Sequence, residues 1–94
     1  MKTVKVPGEK REHEVLMYAI STCAWCKRTK KFLVDKGIEY EYVDVDLCEG
    51  KDREEILKDI SRRGGQPAYP TLIVDGKTLI TGFDEEKIRK VLGI

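Results

Sequence analysis

The apolar and polar positions divide the chain into seven elements behind a charged start. Residues 1–12 alternate only weakly, through Thr3, Val4, Lys5 and Val6, before Pro7-Gly8 and a charged run; this reads as a short strand or an ordered arm ending in a turn. Val15 to Ile20 is a continuous apolar run, the pattern of a strand buried on both faces. Between 24 and 36 the spacing becomes helical: Trp25, Thr29, Phe32 and Leu33 share a face, and Gly37 supplies the stop. Glu39 to Asp46 alternates again, with Tyr40, Tyr42 and either Val43 or Val45, which predicts a second strand with the tyrosines packed on its face. Asp52 and Glu55 form a D-x-x-E pattern that predicts a capped helix, with Ile56, Leu57 and Ile60 on one side and Arg62-Arg63-Gly64-Gly65 at its end.

The last third carries the most explicit local chemistry. Thr71 to Val74 and Lys77 to Thr81 flank Asp75-Gly76, the dipeptide preferred by the type I′ turn that joins two right-twisted strands. Asp84 then caps a final helix, with Phe83 and Ile88 placed as a hydrophobic staple, Glu85-Glu86 at the positive end, and Ile88, Val91 and Leu92 toward the core. The order is β-α-β-α-β-β-α. Its first β-α-β requires a right-handed parallel crossover and its closing hairpin is antiparallel, so the sheet is mixed and flanked by helices.

Composition narrows the function classes. A chain of 94 residues builds one core, and a net charge of +1 from 18 Lys+Arg and 17 Asp+Glu gives no global attraction to nucleic acid or acidic membrane. The basic run from Lys27 to Lys31 lacks the interleaved aromatic platform of a nucleic-acid site and reads as a solvated helix face. No apolar run approaches membrane-spanning length, so a cytoplasmic protein is expected. An odd cysteine count of 3 argues against a disulfide framework.

The candidate chemistry is Cys23-Ala24-Trp25-Cys26. Three readings compete: a redox dithiol, half of a metal site, or two inert thiols. Cys23 falls in the turn after the first strand, where the unpaired N–H groups and positive end of the following helix favour a thiolate. Cys26 lies one turn inward. Thiols three residues apart on a helical turn reach disulfide geometry, with Cα atoms roughly 5–6 Å apart. Cys23 then attacks and Cys26 resolves, with no metal, base or cofactor required. A zinc site would need Cys48 and His13 as partners, but these lack the second short spacing of a structural site. Cys48, in a loop after the second strand, reads as a bystander or as an extra regulatory or resolving thiol, and His13 as solvent-exposed.

Over residues 14–92 the chain resembles the glutaredoxin branch of the thioredoxin superfamily. The resemblance rests on Cys23-Ala24-Trp25-Cys26 after a strand, Tyr69-Pro70-Thr71 opening the next-to-last strand, Asp75-Gly76 in the hairpin, and Thr81-Gly82-Phe83-Asp84 before the last helix. It implies a thioredoxin fold with a four-stranded mixed sheet, an N-terminal arm or strand over 1–12, and a glutaredoxin-like domain over 13–94. It also implies a cis Tyr69–Pro70 bond. The Tyr69 backbone would face Cys23 and pair with an extended substrate. The Gly82-Phe83-Asp84 turn would wall the groove, with Asp84 binding substrate backbone, and Trp25 would meet the partner.

The implied activity is thiol:disulfide exchange by a monomer without a cofactor, in electron transport and cell redox homeostasis. Its substrates would be proteins carrying disulfides, ribonucleotide reductase among them. The chain has Ala24 where many family members have Pro, Ile20 where many have a Lys that meets a glutathione carboxylate, and Ala68-Tyr69 in place of Thr-Val. Gly-Phe-Asp is similar to the glutathione-independent redoxins. The leading expectation for the donor is therefore a thioredoxin-reductase-type or ferredoxin-linked protein, with glutathione as the alternative. An iron–sulfur or zinc module on Cys23 and Cys26 is the alternative of a different class.

Overall fold

The computed structural model describes residues 3–94, so the first two residues of the expected arm lie outside it. The strands are β1 (Val4–Val6), β2 (Val15–Ala19), β3 (Tyr40–Asp44), β4 (Thr71–Val74) and β5 (Thr78–Thr81). The α-helices are α1 (Ala24–Asp35), α2 (Gly50–Arg62) and α3 (Glu85–Leu92), and a short 3₁₀ turn spans Val45–Leu47. The sheet runs β1-β3-β2-β4-β5, with β2 and β3 parallel and the other neighbours antiparallel. This is the expected α/β thioredoxin-like fold with one correction. The sheet has five strands, because the arm pairs Val4, Lys5 and Val6 with Tyr42, Glu41 and Tyr40 of β3. No helix among the described residues is long and apolar enough to cross a membrane.

Strand alternation divides the core between the two faces of the sheet. Val15, Met17, Ala19, Tyr40 and Leu72 pack with Cys26, Phe32 and Leu33 of α1 and Ile88 and Leu92 of α3. Tyr18, Val43 and Ile73 pack with Val45 and with Ile56 and Ile60 of α2. Tyr42 joins the first cluster, so both tyrosines of β3 are strand-face packing, as expected. On the α2 face, Tyr18 Oη donates to Asp59 at 2.8 Å, and Asp59 also meets Arg62 and Arg63. Burial alone would raise the Asp59 carboxyl, but hydrogen bonds from Tyr18 and both arginines outweigh it and hold the group below the ordinary carboxylate range.

Several local expectations shift. α2 begins at Gly50, with Glu49 at its N-cap and no side-chain cap, so Asp52 lies inside the first turn and does not cap the helix. Leu57 is exposed, since Ile56 and Ile60, four apart, take the buried face. Trp25 is exposed while Cys26, Thr29, Phe32 and Leu33 form the buried face of α1. His13 is half-buried, with Nδ1 2.7 Å from Asp75 Oδ2. The hairpin turn holds Asp75 at φ 55° and Gly76 at φ 65°, as type I′ requires. Val74 nevertheless pairs with Thr78, so Lys77 is an extra loop residue.

Candidate active site

Cys23 is the N-cap of α1, in extended backbone conformation. Its Sγ accepts the Cys26 N–H at 3.2 Å and lies 3.8 Å from the Tyr69 carbonyl oxygen. One of the free N–H groups of the helix is thereby aimed at the sulfur, and the helix dipole favours negative charge at the same point. Cys26 is fully buried. Burial, followed by the hydrogen bond with Cys23, pushes its thiol up to about 12, while Lys30 pulls in the opposite direction. Two thiols on one turn thus differ in access.

Of the residues expected beside them, Tyr69 meets Cys23, Gly82 bonds Pro70, and Phe83 meets Trp25, while Asp84 is seen only as a helix cap. Tyr69–Pro70 is cis. Gly82, at φ 76°, donates its N–H to the Pro70 carbonyl at 2.7 Å; the positive φ suits a residue without Cβ and turns Phe83 back over α1. Phe83 meets the Phe32 ring edge-on at 5.7 Å between centroids and lies 6.2 Å from Trp25. Arg28 covers the Trp25 ring at 4.9 Å, while Lys31 pairs with Asp35 and Lys30 with Asp44. The basic run of α1 is therefore largely engaged within the chain. Asp84 caps α3, accepting the Lys87 N–H at 3.1 Å.

One part of the site was missed in the sequence. Asp46 accepts the Ser21 N–H at 2.9 Å and also the Ser21 hydroxyl, two residues before Cys23. These two bonds hold the Asp46 carboxyl below the ordinary range. Arg53 of α2 donates to the carbonyls of Val45, Asp46 and Cys48 at 3.2–3.4 Å, fixing the 3₁₀ turn that carries Asp46. The available signal was positional: Asp46 follows the strand parallel to β2, at the carboxyl ends of the strands, where α/β sheets place their sites.

Cys48 donates its S–H to the Asp44 carbonyl at 3.5 Å, and burial followed by the Asp52 charge pushes its thiol up. Since His13 faces Asp75 at the hairpin, it does not join the thiols in a donor set. Among the described residues, no group of three His, Cys, Asp or Glu converges as a metal site.

The sequence model of the glutaredoxin family matches residues 15–79. A glutaredoxin-like 8.6 kDa protein of a rubredoxin operon in Clostridium pasteurianum is 32% identical over 78 residues, covering 83% of this chain and 96% of that protein. The chain spans 59% of the length of the Rickettsia conorii and Rickettsia felis glutaredoxins that it also matches. Among solved structures, a glutaredoxin from Methanosarcina mazei is 39% identical with a TM-score of 0.86, covering 100% of this chain and 90% of its own. Methanoredoxin of Methanosarcina acetivorans is 42% identical with a TM-score of 0.77, covering 86% of this chain and 85% of its own.

Proposed function

The chain belongs to the glutaredoxin family, and from that premise we propose that it reduces protein disulfides by dithiol exchange and receives its electrons from a protein reductase. Thiol oxidoreduction follows from the family. The finer reading rests above all on the unequal environment of the two thiols. Cys23 sits at a helix N-terminus with Sγ on the Cys26 N–H, and Cys26 is buried beneath it.

In the first step the Cys23 thiolate attacks one sulfur of the substrate disulfide. A Cys23–substrate bond forms, the substrate S–S bond breaks, and one substrate thiolate leaves. Cys26 then loses its proton and attacks Cys23 Sγ. The Cys23–Cys26 bond forms, the mixed disulfide breaks, and the second substrate thiolate leaves and takes up a proton. The substrate gains two electrons and the protein loses two. Trp25, Tyr69, Pro70, Gly82, Phe83 and Asp84 form the wall along which the substrate segment lies, with the Tyr69 backbone as its docking strand.

The donor reading rests on Ile20. This residue is half-buried against the α2-face cluster and offers no cation to a glutathione carboxylate. The rubredoxin operon of the Clostridium relative also favours a protein donor. The test presents the oxidised protein with glutathione, a thioredoxin-reductase-type donor and a ferredoxin-linked donor. A protein donor is expected to be fastest. Ile20→Lys is expected to raise glutathione turnover about tenfold or more, since a charge-assisted contact is worth about 1.5–3 kcal/mol, while leaving the protein donor's rate nearly unchanged. Glutathione turnover in the native protein equal to that of any protein donor would overturn the donor assignment.

A further inference from the structure

The Cys23 turn follows β2, which lies between β3 and β4. β4 begins beside it at Tyr69–Pro70, and β3 ends beside it at the Val45–Leu47 turn, since Tyr18 pairs with Thr71 and Ala19 with Asp44. The thiol therefore has two flanks. The β4–β5 flank carries Tyr69 and Phe83, and Trp25 of α1 lies 6.2 Å from the Phe83 ring. The β3 flank is the turn tied to Ser21 through Asp46.

That second flank is held through Val45, Asp46 and Cys48. Arg53 holds the carbonyls of Val45, Asp46 and Cys48, and the Cys48 N–H donates to Val45 at 3.2 Å. Val45 is buried and Cys48 half-buried, so Leu47 is the side chain turned outward, 72% exposed against 54% for Trp25. A single exposed leucine is ordinary on a protein surface. This one stands on a clamped turn bonded to the loop that carries the attacking thiol, and it gains nothing by burial within its own chain.

We propose that Leu47 is a second apolar contact for the substrate, opposite Trp25, and that the occupant is a polypeptide segment with an apolar side chain near its disulfide cysteine. This deepens the reading of Cys23 as the attacking thiol and rests on it. A small disulfide engages Cys23 and the β4–β5 flank alone. A polypeptide continues across the thiol in both directions and covers both flanks.

The test is Leu47→Ser, with steady-state reduction of insulin as the protein disulfide and of bis(2-hydroxyethyl) disulfide as the small one, dithiothreitol supplying electrons. Because Leu47 is exposed, the substitution leaves the core intact. The KM for insulin is expected to rise about tenfold from the lost apolar burial, with kcat and both constants for the small disulfide within about twofold. Leu47→Met is expected to restore the insulin KM. An unchanged insulin KM, or an equal loss on both disulfides that Leu47→Met does not rescue, overturns the proposal while the Cys23 reading stands. If the native protein reduces neither disulfide, the Cys23 reading fails and this proposal fails with it.

Discussion

The two ends of the sheet offer opposite kinds of surface. At the far end, a row of residues crosses four strands, Lys5 of β1, Glu41 of β3, Leu16 of β2 and Ile73 of β4, and with Arg63 at the C-cap of α2 it lines a cavity of about 320 Å³. Its lining contains no cysteine. At the thiol end Cys23 caps α1, next to the exposed Trp25. The difference teaches that enclosure is a poor guide to this chemistry. A thiol that must meet a disulfide inside another protein needs access, and its polarity comes from a helix terminus in place of a dry pocket. Water exclusion is supplied where the second step needs it, around Cys26.

The comparison is sharpened most by pH. Burial raises the Cys26 thiol, so its neutral form persists above the ordinary range and its thiolate fraction rises about tenfold per pH unit until the shifted value is reached. Part of that rise comes from Cys23 itself and disappears once Cys23 is in a mixed disulfide. Stopped-flow decay of a preformed mixed disulfide is therefore expected to accelerate about tenfold per unit from pH 7 to 9. A flat profile over that interval would place Cys26 outside the buried environment described. The sign for stability is the opposite: this group favours the folded state below its unfolded value of 9.0 and loses that contribution as pH rises toward about 12.

Phe83→Ala has the next effect. Phe83 supports Trp25 and packs edge-on against Phe32, so its loss is expected to lower stability by about 2 kcal/mol in urea unfolding and to raise the KM for a protein disulfide severalfold. The smallest effect belongs to the far end. Asp75 is held below the ordinary carboxylate range first by His13 and then by the Glu14 N–H. That contribution is present above the ordinary value and is lost as pH falls through the lowered one. Asp75→Asn is expected to shift acid unfolding slightly toward higher pH and to leave exchange rates within about twofold. A larger loss of exchange would mean that the two ends are coupled.

What was legible in the sequence is what local chemistry controls. Asp75-Gly76 marked the hairpin, Asp84 the cap of α3, and the Cys23-to-Cys26 spacing the position of the thiols. Features set by long-range contact were not legible. The arm could be read as strand or coil, because only its pairing with β3 decides between them. The extra residue in the hairpin follows from the β4–β5 register. Asp52 looked like a cap because it precedes a run of helical spacing, but α2 starts earlier and places Arg53 in its first turn, within reach of the 45–48 carbonyls. The Ser21–Asp46 tie joins residues 25 apart in the chain, with no local pattern to announce it. Tyr69 was legible only through the resemblance. Its carbonyl meets Cys23 across 46 residues, and spacing alone does not set that contact.

The most direct measurement is trapping. Cys23→Ser and Cys26→Ser proteins, reduced and then mixed with a protein disulfide, are resolved by intact mass under non-reducing conditions. With Cys26→Ser, a covalent adduct through Cys23 is expected to accumulate at close to one per chain. With Cys23→Ser none is expected, since of the two remaining thiols Cys26 is fully buried and holds its proton, and Cys48 is half-buried, bonded to the Asp44 carbonyl and pushed up by burial. Adduct formation by Cys23→Ser and not by Cys26→Ser would reverse the roles of the two thiols and contradict the account.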